Sequence, residues 1–252
     1  MSRSRIKKAE ESKTTSSAVE ADGGDSFALC RAEFIDRIAH DLKTPLFGTK
    51  EILQLILNGG CGKIQSDLEP LIYLLKQTNE DLLTMTQRLV EIYRYEAGTV
   101  ALNRSQVDLI PMLGQVISEL QPMSKAAEIT LSCSTAKSTC PLSIDHQAIE
   151  QMLSYLLVNC IKHTAAGGHL EIKVDKSANA SVLTLTATGL GITQADLENI
   201  FLRSRRHSAS QSYSPLGGLE LHLCRQIIHA HGGTIRSQKT SNKTISIIAE
   251  FP

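Results

Sequence analysis

The sequence predicts an α+β protein in which a long helical hairpin precedes a domain of mixed helices and strands. Between residues 26 and 98, apolar residues recur every three or four positions, which is the spacing of helices that pack along one stripe. Beyond Gly98 the pattern changes to short segments with helix or strand periods. We therefore expect domains at residues 26–98 and 99–252, preceded at residues 1–25 by a disordered tail that has little to bury.

The first helix is expected over residues 26–57, because Asn58, Gly59 and Gly60 supply the turn that ends it. Its apolar stripe consists of Ile35, Ile38, Leu42, Pro45, Thr49, Ile52 and Ile56, widened by Ala39, Leu46 and Leu53. His40 falls on the face opposite this stripe. The spacing therefore predicts an exposed imidazole rather than a buried one.

The second helix repeats the same spacing and ends near Gly98. Its stripe consists of Leu68, Leu71, Leu75, Thr78, Leu82, Met85, Leu89 and Ile92. The two helices predict an antiparallel hairpin that leaves apolar surface in water, whereas two hairpins bury that surface in a four-helix bundle. We therefore expect a homodimer; the alternative is a hairpin that packs only against its own C-terminal domain.

The domain that follows is expected to have helices at residues 109–120, 147–163, 194–201 and 218–229, and strands at residues 129–132, 170–174, 182–186, 234–237 and 244–251. The residues of this domain therefore predict a mixed α/β pattern.

The segment His40-Asp41-Leu42-Lys43-Thr44-Pro45 suits phosphoryl chemistry. Asp41 can accept the proton of one ring nitrogen of His40, which makes the other nitrogen a better nucleophile. Thr44, one helical turn further on, lies on the same side and could hold a water molecule. These three residues are the candidate catalytic group.

The string FIDRIAHDLKTPL resembles the H-box of sensor histidine kinases. The resemblance implies that His40 takes the γ-phosphoryl group of ATP and passes it to an aspartate of a response regulator receiver domain. It also implies that Asp41 serves as the base, that Thr44 positions water for dephosphorylation of the regulator, and that the hairpin forms a dimeric four-helix bundle. The order of the later elements resembles the Bergerat-type ATP-binding domain of histidine kinases, gyrase, Hsp90 and MutL. The resemblance implies an α/β sandwich in which a helix layer lies on a mixed sheet.

The string LLVNCIKHT resembles the N-box of this family. Asn159 then stands at the position of the magnesium-binding asparagine, and Lys162 at that of a phosphate-binding residue. An amide oxygen suits the hard Mg²⁺ ion, and Lys162 lies one turn away on the same face. The resemblance thus implies ATP and Mg²⁺, with Asn159 as the metal ligand.

Further matches give the other candidate cofactor-binding residues. ATGLGI retains Gly189 and Gly191 of the family's glycine motif, and Phe201 matches the F-box. PLGGLEL keeps Gly218 of the phosphate loop, with Gly217 inserted beside it. The resemblance covers about residues 27–252 and implies that these residues contact the nucleotide.

Three positions depart from the family's pattern. Ala187 stands where an aspartate accepts the adenine amino proton, and Leu216 and Glu220 stand at two glycine positions. Losing a hydrogen bond to a charged group costs about 1.5–3 kcal/mol. Glu220 adds a carboxylate beside the expected phosphates unless its side chain points away. The Ser- and Arg-rich segment between the motifs offers compensating phosphate contacts at Arg203, Arg205 and Arg206.

These departures leave two functions open. The first is a two-component histidine kinase that autophosphorylates His40 and can dephosphorylate its regulator. The second is a pseudokinase that works as a dimeric phosphotransfer or docking module without useful ATP binding. Ala187, Leu216 and Glu220 favour the second, and Asn159, Lys162, Gly189 and Gly191 favour the first.

Composition restricts the remaining possibilities. The net charge of zero gives no electrostatic case for nucleic acid, and the six cysteines lack metal-ligand spacing. No apolar run reaches the length of a membrane span and no secretory signal is visible, so a cytoplasmic protein is expected. Because residues 1–25 leave no room for a sensor domain, a separate sensor protein is a candidate partner.

Overall fold

The computed structural model describes residues 34–176, 180–188, 197, 199–202, 217–241 and 244–252. The chain divides into two compact units, with the boundary between Val100 and Ala101. Each unit is described separately below.

The first unit is a hairpin of two long helices. In the first helix (α1), the described residues 34–57 are all helical, and the second (α2) spans Glu69–Glu96. Gly59 has a φ of +79° just after the end of α1, and Gly98 has a φ of +67° just after α2. Since L side chains rarely adopt this left-handed conformation, glycine suits both ends. The predicted end of α1 at residue 57 is confirmed.

Side-chain contacts show that α1 and α2 run antiparallel. The Asn79 amide on α2 donates to the backbone carbonyl of Leu46 on α1, with a nitrogen–oxygen distance of 2.9 Å. Near the other end of the hairpin, Arg94 donates to the carboxylate of Asp36 at 2.8 Å. The side chains buried within the hairpin are Ala39, Leu53, Asn79, Leu83, Val90 and Ile92.

Much of the predicted apolar stripe remains exposed in the single hairpin. The exposed large apolar members, from 39% to 60% accessible, are Ile38, Leu42, Ile52, Leu68, Leu71, Leu75 and Leu82. On α1 the buried residues are instead Ala39 and Leu53, which were expected only to widen the stripe. The hairpin therefore closes along the flank of the stripe and leaves its centre in contact with solvent.

The second unit contains seven strands and three helices among its described residues. The helices are α3 (Leu109–Ala126), α4 (His146–His163) and α5 (Gly217–Ala230). The strands are β1 (Arg104–Asp108), β2 (Thr130–Thr135), β3 (Pro141–Asp145), β4 (His169–Lys176), β5 (Ser181–Thr188), β6 (Thr234–Ser241) and β7 (Thr244–Phe251).

Five strands form a mixed sheet in the order β2-β4-β5-β7-β6. The β2–β4 pair is parallel and the other pairs are antiparallel. Helix α4 contacts both α3 and α5 and packs on β5. Alternate residues of β5, Leu183, Leu185 and Ala187, are buried, which is the period of a strand covered on one face. The predicted helix layer on a mixed sheet is confirmed.

Strands β1 and β3 were not predicted. They form a separate antiparallel pair in which Val107 lies opposite Leu142. The pair positions two helix caps: the Asp108 carboxylate accepts from the N–H of Ile110 at the start of α3, and the Asp145 carboxylate accepts from the N–H of Ala148 at the start of α4.

The predicted helix at residues 194–201 lies largely outside the described residues. Leu197 is helical and residues 199–201 form a turn. Among the described residues, none of the helices is long and apolar enough to cross a membrane.

Candidate functional site

His40 lies on α1 with 81% of its side chain exposed, as the helical spacing predicts. Its Nδ1 is 3.5 Å from Oδ1 of the next residue, Asp41, which is the candidate base. Nδ1 is thus the nitrogen that faces the carboxylate, and Nε2 is left for reaction with an incoming group. A contact of this length is weak in the free protein, but catalytic hydrogen bonds often tighten only when the reactant is bound.

Thr44 is also exposed on α1, and its hydroxyl donates to the backbone carbonyl of His40 at 3.1 Å. This bond uses the only hydroxyl hydrogen and leaves the oxygen lone pairs able to accept. Thr44 can therefore hold a water molecule that donates to it, one turn from His40.

Asn159 lies on α4, where only 4% of its surface is accessible. Its Nδ2 donates to the carboxylate Oε2 of Glu220 at 2.8 Å and to the backbone carbonyl of Tyr155 at 2.9 Å. Both amide hydrogens are thereby used by protein acceptors. The carboxamide oxygen, which is the atom that could bind a cation, is not used in either bond.

Glu220, a charged residue in the first turn of α5, does not point into solvent. It is 4% accessible, and its side chain reaches from α5 to Asn159 on α4. From the sequence, Glu220 was expected to be a carboxylate that repels the phosphates unless its side chain points away. The contact with Asn159, 61 positions earlier in the chain, was not foreseen.

Lys162 lies three residues after Asn159 near the end of α4, and its side chain is exposed. An exposed ammonium group on this turn is available to an anionic ligand. The combination of a buried amide oxygen and a nearby exposed cation fits a phosphate-bound Mg²⁺ ion, since Mg²⁺ prefers oxygen ligands and phosphates attract the ammonium group.

A small apolar cavity of about 30 Å³ adjoins Asn159. Its lining consists of Asn159, Cys160, His163, Leu185, Ala187, Ile200, Leu221, Ile245 and Ile247. Ala187 contributes a methyl group to this wall at the position where the resemblance places an adenine-binding aspartate. The residues of this wall therefore offer apolar contact to a base but no carboxylate from residue 187. The Mg²⁺ and phosphate end of the site fits, and the adenine end lacks this acceptor.

Cys160 in the same wall is not a reactive thiol, because burial raises its pKa to about 12. The thiolate is the nucleophilic form of cysteine, so the group stays unreactive near neutral pH. In the described part of the chain, no cluster of three His, Cys, Asp or Glu residues could hold a metal ion. Any metal bound here must therefore depend on other donors, such as the Asn159 oxygen.

The remaining predicted site residues are only partly described. Phe201 is buried, and its carbonyl oxygen is 2.9 Å from Nδ1 of His222 on α5, which joins the F-box segment to that helix. Helix α5 begins at Gly217, one residue before the predicted start, and Gly218 follows within its first turn. The other predicted residues, Gly189, Gly191, Arg203, Arg205, Arg206 and Leu216, lie outside the described residues.

Comparison with known proteins agrees with this arrangement. Residues 144–252 match the model of the histidine kinase-, DNA gyrase B-, and HSP90-like ATPase family. The sensor histidine kinase WalK of Bacillus subtilis is 23% identical over 88% of this chain and 36% of its own length. The adaptive-response sensory kinase SasA of Synechococcus sp. is 29% identical over 87% of this chain and 60% of its own length. The chain thus spans between about a third and three fifths of these relatives.

Solved structures show the same fold. Full-length ShkA in complex with AMPPNP has a TM-score of 0.73 at 19% identity, over 87% of this chain and 45% of that one. Histidine kinase ThkA in complex with the response regulator TrrA has a TM-score of 0.61 at 21% identity, over 87% and 61% of the two chains.

Proposed function

We propose that the chain is a two-component histidine kinase that phosphorylates His40 from ATP. The premise is that residues 144–252 match the model of the histidine kinase-, DNA gyrase B-, and HSP90-like ATPase family. The observation that carries the proposal is the exposed imidazole of His40 beside the carboxylate of Asp41, on a helix that precedes an ATPase-type domain. The relatives that match most of this chain include sensor kinases, which favours catalysis over a docking role alone.

The chain's own residues supply the following steps. Asp41 takes the Nδ1 proton of His40 as Nε2 attacks the γ-phosphorus, so that an N–P bond forms, the P–O bond to the β-phosphate breaks, and ADP leaves. The Asn159 oxygen and the Lys162 ammonium group hold the metal and phosphate end of the nucleotide. Bound ATP supplies the phosphoryl group, and Mg²⁺ neutralises charge on the phosphates.

The proposed partner for the second step is a response regulator receiver domain. The phosphoryl group would pass from Nε2 of His40 to a receiver aspartate, which reforms the free imidazole. The resemblance of the H-box supports this partner, as does the likeness in fold to ThkA, whose structure contains a response regulator. In a separate phosphatase reaction, Thr44 would hold the water that hydrolyses the aspartyl phosphate to free aspartate and inorganic phosphate.

The proposed assembly is a homodimer through the exposed stripe of the hairpin. Seven large apolar side chains of the predicted stripe remain exposed to solvent in the single hairpin. Burying a leucine or isoleucine is worth about 1.5–3 kcal/mol. A second copy of the hairpin offers the same stripe, so a four-helix bundle covers both.

The decisive experiment is phosphorylation of the purified full chain. With γ-labelled ATP and Mg²⁺ we expect an acid-labile label on the parent protein and none on His40→Gln. Label that persists in His40→Gln would refute the phosphoacceptor assignment.

Ala187→Asp tests whether the adenine end limits the reaction. Restoring a hydrogen bond to a carboxylate is expected to improve ATP affinity by about 10- to 100-fold, with Ala187→Asn as the uncharged control of similar size. No label on the parent together with strong label on Ala187→Asp would refute the active kinase and support a pseudokinase.

A further inference from the structure

The geometry points to Glu220 as a positioning residue of the nucleotide site: we propose that it holds the carboxamide of Asn159 in the orientation that leaves the oxygen for Mg²⁺. This inference rests on the proposed nucleotide-binding function and adds a residue to it. It also gives a positive role to a carboxylate that the sequence alone identifies as unfavourable to phosphates.

The orientation of the Asn159 amide follows from its two partners. Nδ2 is 2.8 Å from Oε2 of Glu220 and 2.9 Å from the carbonyl oxygen of Tyr155. A backbone carbonyl can only accept, and so can an ionised carboxylate. Rotating the amide by half a turn would place its oxygen against both of these oxygens, so the orientation with nitrogen towards them is fixed.

The two acceptors of the Asn159 amide lie on different helices. Tyr155 precedes Asn159 by one turn of α4, so its carbonyl is present whenever that helix is formed. Glu220 comes from α5 and supplies the contact that depends on a side chain. The amide is thereby held from two directions, and its oxygen is the remaining polar atom available to a cation.

Burial strengthens the hydrogen bond between Glu220 and Asn159. Both residues are 4% accessible, so water competes poorly for either group. A hydrogen bond to a carboxylate is stronger than one between neutral groups, and it strengthens further where the local dielectric constant is low. Groups that orient a metal ligand through such bonds commonly change metal affinity by about 10- to 100-fold when they are removed.

The position of Glu220 at the start of α5 is compatible with this role. The positive end of the helix dipole favours a carboxylate in the first turn. With its side chain directed to Asn159, Oε2 is engaged with an amide rather than with a phosphate. Two other roles remain for the test to separate: a contact that only joins α4 to α5, and a charge that opposes phosphate binding.

The test compares nucleotide binding with and without Mg²⁺ in the full-length chain. A fluorescent ATP analogue is titrated in Mg²⁺ and in EDTA for the parent and for Glu220→Met, which keeps the length of the side chain but cannot accept. We expect the gain in affinity that Mg²⁺ gives to fall by about 10- to 100-fold in Glu220→Met, with little change in EDTA. Glu220→Gln, whose amide oxygen can still accept from Nδ2, should retain most of the gain.

Two matched controls accompany the titration. Glu171→Gln removes an exposed carboxylate from β4 and should behave as the parent. In Asn159→Ala the gain from Mg²⁺ should be lost, and adding Glu220→Met to it should cause no further loss, because the two residues act through one atom.

A second readout needs no ligand. The side-chain amide signals of Asn159 can be observed in a ¹H–¹⁵N correlation spectrum and assigned by their loss in Asn159→Ala. These signals should shift in Glu220→Met and stay near their parent position in Glu220→Gln. If Glu220→Met does not fold, Glu220→Ala takes its place in both measurements.

Three results would overturn the proposal. Equal loss of affinity in Mg²⁺ and in EDTA would identify a purely structural contact, and tighter binding by Glu220→Met would identify an opposing charge. Unchanged amide signals would show that the contact does not hold the amide. A parent protein that binds no nucleotide would refute the proposed function as well, whereas a parent that binds in Mg²⁺ while Glu220→Met matches it refutes this inference alone.

Discussion

Asp145, the last residue of β3, donates its backbone N–H to Nε2 of His231 at 3.0 Å. On the other side of the ring, Nδ1 of His231 lies 2.8 Å from the carbonyl oxygen of Ile227 on α5. Since the Asp145 N–H can only donate and the carbonyl can only accept, His231 is neutral with its hydrogen on Nδ1. The imidazole of His231, the residue that follows α5, thus links Ile227 on α5 to Asp145, the residue that caps α4.

This link predicts a loss of stability in acid. Burial lowers the pKa of His231 from its ordinary value of 6.5. The unfolded chain therefore binds a proton at a higher pH than the folded chain does, so the free energy of unfolding falls as pH decreases below about 6.5. Chemical denaturation of the second unit between pH 8 and 5 should show this decline.

His231→Ala is expected to lower the free energy of unfolding at neutral pH by about 1–3 kcal/mol, because it leaves the half-buried N–H of Asp145 without its acceptor. The same variant should also show a smaller change in the free energy of unfolding between pH 8 and pH 5 than the parent protein. His229→Gln, which changes an exposed histidine of the same segment, is the control. If His231→Ala kept the parent slope, the acid sensitivity would come from another group.

The Asp145 carboxyl contributes at lower pH. Burial alone would raise its pKa, but hydrogen bonds from the backbone N–H groups of Ala148, Asn103 and Gln147 lower it below 3.8. Its stabilising effect is therefore present above the ordinary carboxyl pKa and is lost only as pH falls through the lower value. Asp145 and His231 can thus be distinguished by the pH range in which stability is lost.

Gly233 is expected to be intolerant of any side chain. A β-carbon there would overlap the backbone oxygen of Glu250 and the side chain of Ile228. Gly233→Ala should lower the free energy of unfolding by about 1–3 kcal/mol. The control is Gly114→Ala on the exposed side of α3, where a β-carbon meets nothing and alanine should stabilise the helix by about 0.5–1 kcal/mol. Thermal unfolding should give a lower melting temperature for Gly233→Ala than for Gly114→Ala. Equal melting temperatures would contradict the prediction.

The proposed dimer predicts a strong effect of charge at Leu75. Its side chain is 58% exposed in the single hairpin and lies on the predicted stripe of α2. Leu75→Glu should raise the dimer dissociation constant by about 100-fold or more, since two copies lose burial of about 1.5–3 kcal/mol each. Sedimentation equilibrium measures this. Gln87→Glu, an exposed change off the stripe, should leave the dimer intact; a Leu75→Glu protein that still dimerises like the parent would exclude this interface.

Thr44 allows the two proposed activities to be separated. Removing its hydroxyl should slow dephosphorylation of the regulator by about 100-fold, because the attacking water loses its position, and should leave labelling of His40 near the parent level. Thr44→Ala is compared with Thr44→Ser, which keeps the hydroxyl, in assays that follow phosphorylated regulator and His40 separately. Equal loss of both activities in Thr44→Ala would point to a general disturbance of the helix.

Periodicity predicted most of the secondary structure. Strand β4 was expected at residues 170–174 and spans His169–Lys176, and α4 was expected from residue 147 and begins at His146. Strands β1 and β3 were missed because Arg104–Asp108 contains a single large apolar residue, Val107, and its partner lies more than 30 residues later. Such short pairs are stabilised by a distant strand rather than by a local pattern.

The sequence predicted the apolar stripe of the hairpin, but it did not predict which residues are buried between α1 and α2 of a single chain. Spacing gives the angular position of residues on each helix, whereas the rotation of one helix against the other depends on contacts such as that between Asn79 and Leu46. The same limit applies to Glu220. Its place in the first turn of α5 was readable, but the reach of its side chain to Asn159 depends on how α4 and α5 pack.

Under the proposed pairing through the uncovered stripe of the hairpin, the two units would respond differently to dilution. The second unit buries its core within one chain, so its stability does not depend on how many copies are present. A hairpin that gains stability by pairing follows mass action and melts at lower temperature when the protein is scarce. The extent of His40 phosphorylation would then depend on the concentration of the chain, so the expression level would affect the strength of the signal.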